Sequence, residues 1–330
     1  MMQAKKILLV DVDSKIPNIA LMKLSSYYKN KGYLVDLISL FLPYYPGKQK
    51  ENIIDAKDYE QVFVSIIFKI NKPFIKVINC DNITYGGVGY SLTNKLPEEI
   101  EQAEKDYSIY PDNKVSIGYI TRGCIRNCPF CVVPKKEGMI HQVNTVKNII
   151  KHKHVIFLDN NILAFKGHID ILKELKKLQV RCDFKQGLDI RLLTPENSKL
   201  LSELNYIKEY YFAFDNIKDK DLIEKKHKLF RQYMTIDWNI KMFLYCHPDM
   251  DILTDLVDRI KWCKDNKVLP YIMRDISCWN SDNKNLYTDL AAWCNQPGIF
   301  KKMKFSEFME KRTPNKERIK NDLILTNNIL

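Results

Sequence analysis

Long apolar runs are missing from this chain. Nowhere in its 330 residues do 18 apolar residues follow one another, so no membrane-spanning helix is expected. The stretch from Met1 to Val10 is basic and then apolar, but Asp11 and Asp13 interrupt it before it reaches the length of a secretory signal. A cytoplasmic location is the expectation. Histidine is scarce, with six in all and none before His141. Of the nine cysteines, only Cys128 and Cys131 form a Cys-x2-Cys pair. The two-pair pattern of a structural zinc site is therefore absent. Scattered thiols without a secretory signal also exclude a disulfide framework. No concentrated arginine stripe accompanies the net charge of +12. That charge attracts polyanions, nucleic acid among them, although Lys, Ile and Asn are abundant throughout, as a biased genome composition would give.

What is present is an apolar fraction of 45%, enough for a sizeable core, and a length that suits about two domains at the usual ~150 residues each. The most informative stretch is Cys124-Ile125-Arg126-Asn127-Cys128-Pro129-Phe130-Cys131, which follows the apolar run Ile117–Ile120 and Gly123. Thiolates ligate iron–sulfur clusters, and close spacing lets one loop wrap a single cluster. A [4Fe-4S] cluster has four irons, so a loop with three sulfurs leaves one iron for a non-protein ligand. Three cysteines within eight residues, beside Gly and Pro, do not read as core packing.

This loop resembles the signature of the radical S-adenosylmethionine (radical SAM) superfamily, Cys-x3-Cys-x2-Cys with an aromatic, here Phe130, before the last cysteine. Its flanks, Thr121-Arg122-Gly123 and Val132-Val133-Pro134-Lys135-Lys136-Glu137-Gly138, look like the methylthiotransferase and cobalamin-domain branches. The resemblance implies that Cys124, Cys128 and Cys131 hold a [4Fe-4S] cluster whose open iron binds S-adenosylmethionine. Reductive cleavage would then give a 5′-deoxyadenosyl radical that abstracts hydrogen from a substrate. It also implies a reducing partner such as flavodoxin or ferredoxin. The resemblance extends over most of residues 1–305, but only the cysteine loop is specific. The extra amino-terminal cysteine triad of methylthiotransferases is missing, since only Cys80 precedes Cys124. The single cysteines Cys182, Cys246, Cys263, Cys278 and Cys294 read as isolated buried thiols, with an auxiliary cluster near Cys278 and Cys294 as the alternative.

The remainder of the chain reads as α/β. Lys6–Val10, Tyr33–Leu40, Val62–Ile67 and Ile75–Cys80 are expected strands, with a helix from Pro17 to Asn30. They predict a small doubly wound, Rossmann-like parallel sheet over residues 1–110. In this position it resembles the cobalamin-binding domain that precedes many radical SAM cores. The family's Asp-x-His-x-x-Gly is absent, the loop being Asp11-Val12-Asp13-Ser14-Lys15-Ile16. Cobalamin with a histidine below the cobalt is thereby excluded; a relic domain without cobalamin is the expectation, and binding without that ligand is the alternative. Gly86, Gly87 and Gly89 are expected to form a structural turn, with a phosphate loop as the alternative. Leu96–Ile100 starts a short acidic helix, and Tyr107–Lys114 is a polar linker.

From Val115 six strands are expected: Val115–Thr121, Val155–Leu158, Arg181–Lys185, Tyr210–Phe214, Met242–Cys246 and Leu269–Met273. Helices over Thr145–Lys151, Ile169–Leu178, Pro195–Leu204, Lys220–Gln232 and Asp255–Asn266 separate them. Six such units match the partial (β/α)6 TIM-type barrel that the resemblance implies, here assigned to residues 111–285. Residues 286–330 are a carboxy-terminal extension in which Leu290 and Trp293 close the barrel, followed from Pro314 by a polar tail.

Parallel barrels carry reactive groups at the carboxy-terminal ends of their strands. S-adenosylmethionine contacts are therefore expected from Asp159 or Asn160, where the family has Gly-Gly-Glu, and from Gln186, Asp189 and Arg191. Asp215 and His247 complete the set. Arg191 is expected to grip the methionine carboxylate in a forked pair, or else to pair with Asp275. Each of these residues has an ordinary alternative in helix capping or turn formation. Three functions stay open: radical modification of a nucleic acid, of a small metabolite or peptide, or a non-catalytic iron–sulfur sensor. Binding of S-adenosylmethionine separates the sensor from the enzymes.

Overall fold

The structure is a computed structural model and describes residues 5–43, 45 and 47–326. The first four residues of the amino-terminal stretch and the last four of the expected tail lie outside the described residues. The chain forms two compact units. One runs up to Ile117 and includes Cys128–Lys136; the other comprises Gly118–Asn127 and the residues from Glu137 onward.

In the first unit, β1 (Lys6–Asp11) is buried on both faces. Ile7 and Leu9 point to one side, where Leu21 and Leu24 of α1 (Ile19–Asn30) cover them. Asn18 starts α1 by accepting from the amides of Ala20 and Leu21. The sheet continues through β2 (Leu34–Ser39). On the other side, Leu8 and Val10 pack against Ile54 of β3 (Asn52–Asp55) and Ile75, which opens a strand introduced below. The next strands are β4 (Gln61–Ser65), β5 (Ile75–Ile78) and β6 (Ile83–Gly86), and then comes the short helix α2 (Glu98–Glu101).

The sheet order is β2-β1-β4-β6, with parallel ladders throughout. Two expectations need correction. The strand expected at Ile75–Cys80 is not in this sheet; it pairs with β3, and β6 takes the edge. Helices also do not cover both faces. The crossovers after β2 and β4 carry Pro43, Gly47 and Pro73 and have little helical periodicity, so they form β3, a short 3-10 turn and β5 instead. The fold is Rossmann-like in its parallel order and wound with helix on one face only.

In the second unit the strands follow in chain order. They start from the end of β7 (Val115–Gly118), whose Gly118 accepts from the Leu158 amide. The expected first strand breaks here, and Thr121–Arg122 becomes a separate β8. The short helix α3 (Val133–Lys136) belongs to the first unit, and the second resumes with β9 (His141–Gln142) and α4 (Val146–Ile149), shorter than expected and capped by Thr145. Then follow β10 (His154–Phe157), α5 (His168–Leu178), β11 (Arg181–Phe184), α6 (Pro195–Ser202) and β12 (Tyr210–Ala213). The last four elements of the α/β series are α7 (Lys220–Arg231), β13 (Ile240–Cys246), α8 (Asp258–Asp265) and β14 (Leu269–Arg274).

Strands β10 and β11 pair in parallel, and so do β12, β13 and β14. Isolated parallel bridges, Cys182 to Tyr206 and Leu188 to Phe212, join the two sets. Alternation along β13 sends Met242 and Leu244 to the helical side and Phe243 and Tyr245 to the other. The helices answer with Leu172 and Leu175 of α5, Leu201 of α6, Phe230 of α7 and Ile260 of α8.

The carboxy-terminal helices α9 (Lys284–Cys294), α10 (Pro297–Lys302) and α11 (Phe305–Arg312) belong to this same core. They insert Leu290, Trp293, Phe300 and Phe305 into it. The stretch expected to be a polar tail folds as α12 (Lys316–Leu325). Its Arg318 grips the fully buried Asp289 in a fork with contacts of 2.7–2.9 Å. No helix among the described residues is long and apolar enough to cross a membrane.

Candidate functional site

The cysteine loop is rooted in backbone that the sequence prepares with care. Thr121 and Arg122 of β8 pair antiparallel with Gln142 and His141 of β9, so the loop leaves and returns through one short hairpin. Gly123 has φ +85°, and a Cβ there would collide with the Gly138 and Met139 carbonyls. Only glycine fits. Beneath the hairpin lies Asp159, 1% exposed. Its carboxylate accepts from the Thr121 amide at 2.5 Å, the Thr121 hydroxyl at 2.8 Å and the Ile120 amide at 3.2 Å. Asn160 accepts from the Gly123 amide at 3.0 Å. Both residues proposed for the methionine amine are thus committed to holding the loop's backbone.

Burial pushes the Asp159 carboxyl up to about 6, against the hydrogen bonds that pull it down. A carboxyl raised in the folded state favours folding most below its unfolded pKa, and that contribution is lost as pH rises through the folded value. The rise from the ordinary carboxyl range to about 6 corresponds to about 3 kcal/mol. Stability measured by urea unfolding is therefore expected to fall by about that amount between pH 3 and pH 7 in the wild type relative to Asp159→Asn. Parallel profiles of the two proteins would show that Asp159 does not titrate in this window.

Within the loop, Cys124 receives two donors at its sulfur, the Arg126 amide at 3.3 Å and Asn161 Nδ2 at 3.5 Å. The Cys124 amide donates to the Gly138 carbonyl at 3.1 Å. Farther along, the Cys131 amide donates to the Cys128 carbonyl at 3.0 Å. All three cysteines are half-buried, and Phe130 is 37% exposed. No disulfide engages any of the nine cysteines. Among the described residues no three Cys, His, Asp or Glu side chains are gathered in metal-binding geometry. The structure therefore supplies the loop and its donor chemistry, not a closed set of sulfurs.

At the other strand ends the polar residues bind one another. Arg126 of the loop pairs with Asp189 at 2.8 Å. Asp189 also takes Arg191 Nε at 2.7 Å, and Arg191 reaches Asp219 at 2.9 Å. Burial alone would raise the Asp189 carboxyl, but the bonds and charge of Arg191, then of Arg126, outweigh it and hold it below the usual range. Arg191 does not pair with Asp275, whose oxygens instead take the Tyr245 hydroxyl and Ser277. The expected fork of Arg191 is thus filled by protein carboxylates.

Gln186 is exposed just past β11. Asp215 accepts from the Tyr245 amide at 3.2 Å, and burial raises its carboxyl. His247 is half-buried, with its Nδ1 taking the Asp249 amide at 3.1 Å and its Nε2 3.9 Å from Asp275. Asp189→Ala takes the carboxylate from Arg126 and leaves Arg191 with Asp219 alone, and a stability loss of about 1 kcal/mol is expected. Faster tryptic cleavage after Arg126 should accompany it, and an unchanged cleavage rate would show that the pair does not order the loop.

Several residues here escaped the sequence reading. Arg126 and Asn161 lie within quoted stretches, yet no pattern marks them as partners of Asp189 and Cys124. Arg259, fully buried, is ion-paired with Asp255 and donates to the carbonyls of Phe214 at 2.7 Å and Tyr245 at 3.0 Å. Their only sequence signal is the i, i+4 spacing of Asp255 and Arg259 on a helix.

No family model matches the chain, and no curated protein resembles it in sequence. Among solved structures it is similar to the cobalamin-dependent S-adenosylmethionine radical enzyme OxsB, determined with aqua-cobalamin and S-adenosylmethionine bound, at a TM-score of 0.52 and 13% identity. The match covers 87% of this chain and 55% of that one, so this chain spans about half the length of its neighbour. At that identity the likeness concerns architecture alone, over most of this chain's length.

Proposed function

We propose that this protein is a radical SAM enzyme: Cys124, Cys128 and Cys131 hold a [4Fe-4S] cluster, and the second unit binds S-adenosylmethionine beside it. The observation that carries the reading is Asn161. Its side chain is 4% exposed, its Nδ2 donates to Cys124 Sγ, and its Oδ1 has no hydrogen-bond partner. A buried acceptor without a donor is costly, and here it lies beside a candidate ligand sulfur. The ammonium of S-adenosylmethionine is the donor that satisfies it. The donor set also fits, since three thiols in one loop, without carboxylate or imidazole, suit iron–sulfur ligation.

When bound, the cluster and S-adenosylmethionine together supply reductive cleavage of the sulfonium, with the electron coming from a partner such as flavodoxin or ferredoxin. The chain's own residues position that chemistry. Asp159 and Asn160 fix the root of the loop, Arg126 and Asp189 tie the loop to the end of β11, and Gln186 and His247 stand at strand ends for ligand contact. We read strands β7, β10, β11, β12, β13 and β14, running in chain order, as the six-stranded open barrel of this class, with residues 286–312 packed onto it.

The first unit does not suit cobalamin. Open α/β sheets bind ligands where the strand order reverses, here between β1 and β4, and that crevice is filled by the unit's own side chains. Asp13 takes the amides of Ile67 and Phe68 and Asn71 Nδ2 at 2.8–3.0 Å. Asn18 bonds Ser65, and the Tyr110 hydroxyl donates to Asp11 at 2.7 Å. The glycine turn lies against this loop: a Cβ on Gly87 would strike the Ile66 backbone. Incubation with hydroxocobalamin followed by desalting should leave no corrin absorbance, and retention of one equivalent would reverse this part of the reading.

The substrate follows from charge more than from shape. A net +12 supports a nucleic acid over a small metabolite or peptide. The binding reading is tested by adding S-adenosylmethionine to the anaerobically loaded and reduced protein. A changed electron paramagnetic resonance spectrum is expected, whereas an unchanged spectrum would point to a cluster protein that does not see this ligand.

A further inference from the structure

We infer that Asn161 sets the reduction potential of the metal centre through its side-chain amide, by an N–H···S hydrogen bond to Cys124. The inference rests on the reading of the cysteine loop as a cluster ligand, and it concerns a role that no feature of the cysteine signature carries. A thiolate sulfur has no proton to give, so the amide must turn its NH2 group toward Cys124 Sγ, 3.5 Å away. The side chain has nowhere else to go. Asn161 is 4% exposed, its carbonyl closes a turn with the Ala164 amide at 3.0 Å, and the adjoining Ile162 and Leu163 are buried. The other donor to this sulfur is the Arg126 backbone amide at 3.3 Å, which no side-chain substitution removes. Asp159 and Asn160 spend their side chains on loop backbone and leave the sulfur alone.

The consequence is electrostatic. A hydrogen bond to a ligand sulfur stabilises negative charge, and the reduced centre carries one electron more than the oxidised one. The donor therefore favours the reduced state and raises the potential. Burial strengthens the effect, because water does not screen it. Asn161 acts as a positioning and tuning residue through Cys124, and it need not touch the substrate.

The test is a redox titration of the anaerobically reconstituted full chain, followed by electron paramagnetic resonance, with iron content measured on the same samples. Asn161→Leu removes the donor at similar size, and Asn161→Asp replaces it with a carboxylate of the same shape. The potential is expected to become more negative in the order wild type, Asn161→Leu, Asn161→Asp. Cys80→Ser, which lies outside the cysteine loop, should stay at the wild-type value. Should the leucine variant not hold iron, Asn161→Ser, with a shorter donor, is expected to load and to fall below the wild type. Fully loaded variants at the wild-type potential would overturn the inference while leaving the cluster itself in place. A wild-type chain that takes up no cluster would overturn the reading of the loop, and this inference with it.

Discussion

Alanine at Cys124, Cys128 and Cys131 together is expected to abolish cluster loading completely. The brown absorbance and the bound iron of the reconstituted wild type should both disappear. On the proposed reading the three thiolates would supply every protein bond to the cluster, so no residual site would remain to hold it. Folding should be little affected, because all three side chains are half-buried and none belongs to a hydrophobic core cluster. That separates them from Cys182, Cys263 and Cys294, which are fully buried and whose loss would act through packing. Cys80→Ser, at a half-buried position in the first unit, is the control and should load normally. A triple mutant that retains a full complement of iron would show that the cluster, if one binds, is held elsewhere.

Arg259→Ala is expected to have the largest effect on stability, about 3–5 kcal/mol, the usual range for breaking a buried ion pair. Arg259 is fully buried, so its removal leaves Asp255 without its cation and the carbonyls of Phe214 and Tyr245 without their donors. Those carbonyls lie at the ends of β12 and β13, next to Asp215 and two residues before His247. The loss should therefore disturb the strand ends that carry Asp215 and His247 as well as the unit's stability. Replacing both partners with apolar residues, Asp255→Leu with Arg259→Met, should cost less than Arg259→Ala alone, because no charge is left stranded. Urea unfolding measures both. A loss under about 1 kcal/mol for the single mutant would mean that the pair is solvated in solution.

The parts of this fold that were legible in the sequence are those governed by local periodicity. Apolar runs such as Lys6–Asp11 and Tyr210–Ala213 became buried parallel strands, and the stripe Ile171, Leu172 and Leu175 became the inner face of α5. Pairing partners were not legible. Ile75–Ile78 reads as a sheet strand, but whether it joins β4 or β3 depends on crossover geometry that no local pattern encodes. The polar tail reads as holding one short helix at most, and that helix is Lys316–Leu325. It is held by the Arg318 fork on Asp289, a long-range ion pair with no sequence periodicity.

At the site, the cysteine loop stands out as a motif because its three cysteines fall within eight residues. The strand-end residues were correctly placed at strand ends, but their occupations were not readable. Asp159 turned out to bracket the Thr121 backbone, and Arg191 to pair with Asp189 and Asp219. A polar side chain after a strand announces a location; only its neighbours in space decide whether it faces a ligand or the protein itself.

The central claim is tested most directly by chemistry on the intact chain. The protein is reconstituted anaerobically with iron and sulfide, reduced with dithionite and given S-adenosylmethionine, and the products are analysed by mass spectrometry. The account predicts 5′-deoxyadenosine and methionine from the wild type and neither from the triple cysteine mutant. A fully loaded wild type that neither binds S-adenosylmethionine nor yields 5′-deoxyadenosine would contradict it.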